Sequence, residues 1–394
     1  MTRSLGFFAA AILTAALLAR PGAAQEQEQH KPPRVEGGGA AELPPEALVM
    51  PNADLYPQPV LSSEFVDGQS KPFNDESLSY QITIRKDWKW EAVSVRGKGE
   101  EADFTAIGLV LGPVADGVPV LLQVGYRIVP REVSPEDYME VYTEQTGFKI
   151  VKDQWGKYSG QSAYDVLARG SISGIDTVAR FSLSHDGNRF FLVSGYCPLS
   201  AYPKFAKDIG VAIVSFHLLK PTGKPTVEDM VTHDVPDPAV SFTYPKSWTL
   251  TPGTNAPKGI AAFDLYNGDE KTGTIGWIRV KIAARSLYPD ATANQYVNSF
   301  LEEVAASGFA FDNAVFNAPI DPGTKFLPGG RYIIFPVFKD NVVSEARLVV
   351  LPSKNAWHVL SLLSPARDRG MVEWMINKRA FEILHNSLEP KDTP

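Results

Sequence analysis

The chain carries a single cysteine, Cys197, in 394 residues, so no internal disulfide can staple it. That cysteine ends the apolar stretch Leu192-Val193-Ser194-Gly195-Tyr196-Cys197 and reads as a small buried hydrophobe rather than a reactive thiol. Histidine is almost as scarce, with six: His30, His185, His217, His233, His358 and His385. None precedes a glutamate, which removes the helical two-histidine zinc-protease arrangement with its general base. His185 is expected in a hairpin turn, His358 in a strand, and His217 and His385 near helix ends, where surface or capping roles suffice. His233 and Asp234, with Asp237 nearby, form a predicted loop cluster whose only chemistry would be adventitious cation binding. Positive charge is also short: 38 Lys and Arg stand against 45 Asp and Glu, a formal charge of −7. Nucleic-acid binding needs a basic footprint to displace phosphate counterions, so this balance argues against it.

Other absences narrow the chemistry further. No glycine-rich run has the spacing of a phosphate loop or a dinucleotide fingerprint. Gly170-Ser171-Ile172-Ser173-Gly174 has the outline of an esterase elbow, but isoleucine sits at its apex, and that turn needs a nucleophile there. No serine has a lysine three positions on, and no Asp/Asn run matches a calcium loop. The residues therefore point to no catalytic set, no metal and no cofactor.

What is present begins with an export signal. Arg3 opens a short basic start, an apolar run covers residues 5–19, and Gly22-Ala23-Ala24 supply the small residues of a cleavage site before Gln25. The run is shorter than the ~20 residues that span a bilayer. Residues 1–24 are therefore expected to be a cleaved signal peptide, without a lipid anchor. Losing Arg3 and Arg20 with it leaves −9. No later stretch is long enough for a membrane helix, and a periplasmic or secreted location follows. Residues 25–73 carry alternating Gln and Glu, Gly37-Gly38-Gly39 and repeated prolines, a composition expected to form a flexible, solvated tail.

The rest of the chain repeats itself. Ile82-Thr83-Ile84-Arg85-Lys86-Asp87-Trp88 aligns without gaps on Phe242-Thr243-Tyr244-Pro245-Lys246-Ser247-Trp248, an alternating strand running into a turn and a tryptophan. The β-rich residues 120–126 match 275–282. Each is followed by a predicted helix: Ser134 and Pro135 open the first, Thr292 caps the second, and both stop on Gly-Phe, at Gly147-Phe148 and Gly308-Phe309. Residues 179–198 align gaplessly on 346–365 as a hairpin, with Asp186-Gly187 a strong turn signal. A closing amphipathic helix follows, presenting Phe205, Ile209, Ile213 and Phe216 in the first copy and Met371, Trp374, Phe381 and Leu384 in the second. The expectation is two tandem α/β (α+β) sandwich domains, residues 74–220 and 239–390, joined by a linker at 221–238. Each would be a mainly antiparallel twisted sheet covered by helices.

This order of elements, and above all Phe242-Thr243-Tyr244-Pro245-Lys246-Ser247-Trp248, resembles the PsbP/Mog1-like family of small α/β/α sandwich domains. The resemblance implies a binding or assembly module and brings no catalytic residues with it.

Among single residues, Trp88 and Trp248 occupy equivalent positions and read as core. Trp90 lacks a counterpart and is expected to offer an exposed surface. Arg180 and Arg347 are equivalent strand arginines, each either paired with a carboxylate or placed to contact an anion. The leading reading is an exported non-enzymatic binding protein whose two domains present a groove to a protein or a small apolar ligand. The alternatives are an enzyme of hydrolase type with an unfamiliar site, and a structural component of a secretion or envelope complex.

Overall fold

The structure, a computed structural model, describes residues 48–51, 55–91, 104–253, 258–269, 273–321, 323, 325–340 and 342–391. The expected signal peptide and most of the expected tail lie outside these residues. The chain divides into two compact units, one of Met1–Val129 with Pro135–Pro225, the other of Pro130–Ser134 with Thr226–Pro394. Among the described residues no helix is long and apolar enough to cross a membrane. The fold class is α+β, with antiparallel sheets and a few helices.

The first unit runs α1 (Gln58–Glu64), β1 (Phe65–Ser70), β2 (Tyr80–Arg85), β3 (Lys89–Glu91), β4 (Thr105–Ala115), β5 (Val118–Ile128), α2 (Pro135–Gln145), β6 (Lys149–Tyr158), β7 (Gln161–Ile172), β8 (Ile175–Asp186), β9 (Arg189–Pro198), α3 (Tyr202–Ser215) and β10 (His217–Leu218). Its large sheet has the order β3-β4-β5-β9-β8-β7-β6, and a small sheet the order β1-β2-β10. Tyr80, Ile82 and Ile84 alternate into the core as the sequence pattern requires, and Trp88 is buried beside them. Neighbouring residues of a strand point to opposite faces, which separates the two helices. Phe191 and Val193 meet Phe205 and Ile209 of α3, whereas Phe190 and Phe181 meet Tyr138 and Tyr142 of α2. The approach of α3 is close, since a Cβ on Gly195 would lie 2.4 Å from Ile209 Cγ2.

The second unit runs β11 (Met230–Pro236), β12 (Ala239–Pro245), β13 (Thr249–Pro252), β14 (Ile260–Asp269), β15 (Gly273–Ala284), α4 (Ala293–Ala306), β16 (Ala310–Phe311), β17 (Phe316–Pro319), β18 (Arg331–Lys339), β19 (Val342–Pro352), β20 (Ala356–Pro365), α5 (Met371–Ser387) and β21 (Glu389–Pro390). Its large sheet follows β13-β14-β15-β20-β19-β18-β16, with β17 also on β18, and its small sheet is β11-β12-β21. Phe242, Trp248, Leu360, Phe381 and Leu384 share one buried cluster, and Phe335, Leu348 and Trp357 share another, against Tyr296 and Phe300 of α4.

The strand orders of the two units match, with β16 and β17 together standing where the first unit has β6. Fine contacts match too. The Thr83 N–H donates to Ser215 Oγ at 2.8 Å, and the Thr243 N–H donates to Ser387 Oγ at 2.8 Å, so a serine in the last turn of each closing helix is tied to the second strand of its unit, β2 or β12. Both Gly-Phe stops are formed with the same bonds: Phe148 N–H reaches the Thr143 carbonyl at 2.8 Å and Phe309 N–H the Val304 carbonyl at 3.2 Å, with Gly147 and Gly308 at φ of 76° and 81°.

Two sequence expectations shift. The expected tail, to residue 73, contains α1 and β1, and the expected linker at 221–238 contains β11. Neither strand announces itself by alternation: β1 buries only Phe65, and β11 only Val235. Both are held by backbone pairing to the strand that follows, Phe65 opposite Arg85 and Met230 opposite Pro245.

Candidate functional site

The site is built on β15 in the second unit. Its alternation turns Ile278, Val280 and Ile282 into the core and places Trp277, Arg279 and Lys281 on the face beneath α4. Asp264 of β14 stands directly opposite Arg279 in the register. Its carboxylate accepts from Arg279 Nε at 2.9 Å, from Arg279 Nη2 at 3.4 Å and from Trp277 Nε1 at 2.8 Å. The guanidinium lies over the Trp277 ring, 4.6 Å from its centroid, a contact that orients the arginine. Glu303 projects from α4 between the two cations, 3.7 Å from Arg279 Nη1 and 3.7 Å from Lys281 Nζ.

Beside this charged row opens a cavity of about 460 Å³, lined by Ile260, Lys281, Ala283, Tyr288, Gln295 and Tyr296 among others. A narrower space of about 50 Å³ lies at Trp277, Arg279, Phe300, Glu303 and Phe309. Among the described residues the buried Tyr296 hydroxyl has no protein hydrogen-bond partner, and burial, with Tyr288 adding to it, pushes this phenol up to about 12. A phenol so displaced is not a proton acceptor near neutrality. Its ring lies tilted against that of Trp357, with the centroids 5.2 Å apart. The arrangement can hold a ligand by charge and apolar contact.

The matching face of the first unit is closed. Register sets the equivalence: Leu121 pairs with Tyr196 as Trp277 pairs with Leu363, and Leu109 pairs with Gln123 as Asp264 pairs with Arg279. Leu109, Leu121, Gln123 and Gly125 therefore stand where the second unit has Asp264, Trp277, Arg279 and Lys281. Gly125 leaves room for Phe104, whose Cβ would be 2.9 Å from an added methyl. Tyr138, Met139 and Val141 of α2 are buried there, while α4 buries only Ala293. A different cavity of about 580 Å³ in the first unit is lined by Tyr56, Leu61, Phe65, Thr83 and Val211 among others. The buried Asp208 carboxylate near it already accepts from the Tyr56 hydroxyl at 2.8 Å.

The residues singled out from sequence fall elsewhere. Trp90 is half-buried, 6.3 Å from the Tyr80 ring and 3.5 Å from the position of a Gly68 Cβ, instead of standing free on the surface. Arg180 is fully excluded from solvent and paired with Asp165 at 2.6 Å. Arg347, 5% exposed, pairs with Glu345 at 2.6 Å and donates to the Tyr332 hydroxyl at 2.9 Å. Both arginines are spent inside the protein, so contact with an external anion is corrected to internal pairing. His233 is not in a loop but on β11, its ring 4.8 Å from that of Phe263, and Asp234 faces Lys391. Among the described residues no three His, Cys, Asp or Glu side chains gather as a metal site. His185 lies at the end of β8 rather than in the turn. Cys197 is buried, and burial pushes its thiol up to about 12.

Sequence reasoning matched β15 as a strand and did not read its two faces. The signal was present in Trp277-Ile278-Arg279-Val280-Lys281-Ile282, where every second residue is polar or amphipathic on a strand whose other face is aliphatic.

No family model matches the chain, and no curated protein matches it. Distant likenesses exist among solved structures. Cyanobacterial PsbP (CyanoP) from Synechocystis is 16% identical, covering 44% of this chain and 99% of its own, with a TM-score of 0.31. LpqN, involved in cell envelope biogenesis of Mycobacterium tuberculosis, is 11% identical over 39% of this chain and 91% of its own, TM-score 0.30. The immunity protein TplEi of the T6SS from Pseudomonas aeruginosa is 10% identical over 80% of this chain and 95% of its own, TM-score 0.23. A PsbP structure is thus among them, and none of the three says what this chain binds.

Proposed function

We propose that this protein is an exported, non-enzymatic binding module made of two diverged copies of one α+β domain, beginning at β1 and at β11, and that the second copy carries the binding site. The observation that supports this most is the difference between matched positions on one face. Where the first copy has Leu109, Leu121, Gln123 and Gly125, the second has Asp264, Trp277, Arg279 and Lys281. Placing an ion-paired row and a cavity beneath a helix costs packing that the first copy retains, which is how a scaffold gives up stability for a site. Export rests on the basic start, apolar run and small residues of residues 1–24.

The test is capture of tagged mature protein, residues 25–394, from cross-linked cell envelopes, with mass spectrometry of proteins and small molecules. A variant with the cleft filled, Ser299→Trp, is run in parallel. A stoichiometric partner or retained molecule that is lost with Ser299→Trp supports the reading. A partner unaffected by the filled cleft, or a bare protein in both, overturns it.

A further inference from the structure

Lys281 is the least committed charge of the cleft. An ammonium carries three donors, yet among the described residues its one ion-pair partner is Glu303, at 3.7 Å. Charge-assisted hydrogen bonds run at about 2.7–2.9 Å, so this contact is electrostatic and leaves the donors unspent. The same carboxylate stands 3.7 Å from Arg279 Nη1, whose Nε and Nη2 are taken by Asp264. Glu303 is 46% exposed on a helix that buries only Ala293, and exposed pairs of this kind are weak. Asp264 neutralises Arg279, so turning Glu303 aside leaves one uncompensated positive charge. That charge, on Lys281, lines a cavity whose other walls include Ile260, Ala283, Tyr288 and Tyr296.

We infer that this cleft takes a small amphipathic monoanion, its carboxylate or like oxyanion held between Lys281 and Arg279 where the Glu303 carboxylate now stands, its apolar body in the cavity against Tyr288 and Tyr296. Glu303 then acts as a resident stand-in for the ligand's head. The first unit has no such place, because Gly125 and Gln123 occupy the two cationic positions. The inference rests on the binding reading above and adds the ligand class to it.

The experiment is calorimetric titration of the mature protein with octanoate, with 1-octanol and octylammonium as neutral and cationic controls. Octanoate binds and the two controls do not. Removing the competing carboxylate with Glu303→Gln tightens octanoate by about three- to fivefold, as loss of a weak exposed pair allows. Lys281→Met weakens it by about 10–100-fold, the loss of one charge-assisted bond, and Lys281→Arg restores it. Circular dichroism melting of each variant separates misfolding from lost binding, and Glu303→Gln changes only an exposed helix position. Equal binding of octanoate and 1-octanol, unchanged by Lys281→Met, overturns the anion site while leaving an apolar binding cleft standing. No octanoate binding even by Glu303→Gln also overturns it, with the envelope capture deciding the broader reading separately.

Discussion

Arg180 on β8 and Asp165 on β7 form an ion pair from which solvent is fully excluded, with Nη2 to Oδ2 at 2.6 Å and Nε to Oδ1 at 3.4 Å. The carboxylate also accepts from the Tyr158 hydroxyl at 2.7 Å, and the guanidinium donates to the Pro51 carbonyl. The pair therefore fastens the segment before α1 to the sheet from beneath. In the second unit Arg347 holds the equivalent position, but Tyr332 stands where Asp165 does, and Glu345 supplies the charge from the same strand.

Breaking the first pair from one side leaves a buried charge uncompensated. Asp165→Ala is expected to destabilise the first unit by about 3–5 kcal/mol, and Arg180→Met with Asp165→Leu together by clearly less. Urea denaturation of the two variants checks this; equal losses would mean that packing, not charge, sets the cost.

His358 makes stability depend on pH in a defined window. Burial lowers its imidazole from 6.5 to about 4, with Nε2 3.0 Å from Ser353 Oγ. Between those values the unfolded chain binds a proton that the folded chain refuses. The contribution is whole above pH 6.5, falls as pH drops toward 4, and changes no further below it, about 3 kcal/mol in all. Phe191 occupies the matching place in the first unit, so His358→Phe is the natural replacement. The urea midpoint lost between pH 7.5 and 4.5 is expected to be smaller in His358→Phe than in the parent, and an identical loss would remove His358 from the account.

Asn377 of α5 is wholly buried and satisfied by three groups: it accepts from Asn267 Nδ2 at 2.9 Å and donates to the Ile275 carbonyl at 2.7 Å and to Ser364 Oγ at 3.0 Å. Asn377→Ala strands these partners, and a loss of about 2–4 kcal/mol is expected for the second unit. Chemical denaturation reads it; a loss below 1 kcal/mol would show that water replaces the amide without penalty.

At Gly147 the φ of 76° is the obstacle to a side chain, since among the described residues nothing beyond its chain neighbours lies within 4 Å of an added Cβ. Gly147→Ala is expected to cost about 1 kcal/mol. Thermal melting measures it, and a neutral result would place the helix stop in the Phe148 contact instead.

Local signals in the sequence located the elements that alternate or end sharply. Ile82 to Arg85 and Phe242 to Pro245 are visible because every second residue is apolar, and both helix stops because Gly-Phe has one backbone solution there. Strands β1 and β11 were hidden because pairing, which leaves no residue pattern, holds them. Arg180 was legible only as an alternative, since its partner Asp165 lies 15 residues away and becomes a neighbour only through the β7–β8 register. The cleft needed more still. Arg279 and Lys281 were plainly on a strand, but which residue of the first unit each replaces follows from cross-strand pairing, and the loose seating of α4 from the depth of packing beneath it.

The short strands β10 and β21 each return to the small sheet that holds the opening strand of the same unit, Leu218 beside Tyr80 and Glu389 beside Ser241. In each unit the first and last strands thus flank one shared strand, β2 or β12, and the serine bonds to Thr83 and Thr243 tie the closing helix to that same strand. A strand gripped from both sides in this way works as a clasp, since losing its pairing would release the first and the last strand of the unit together.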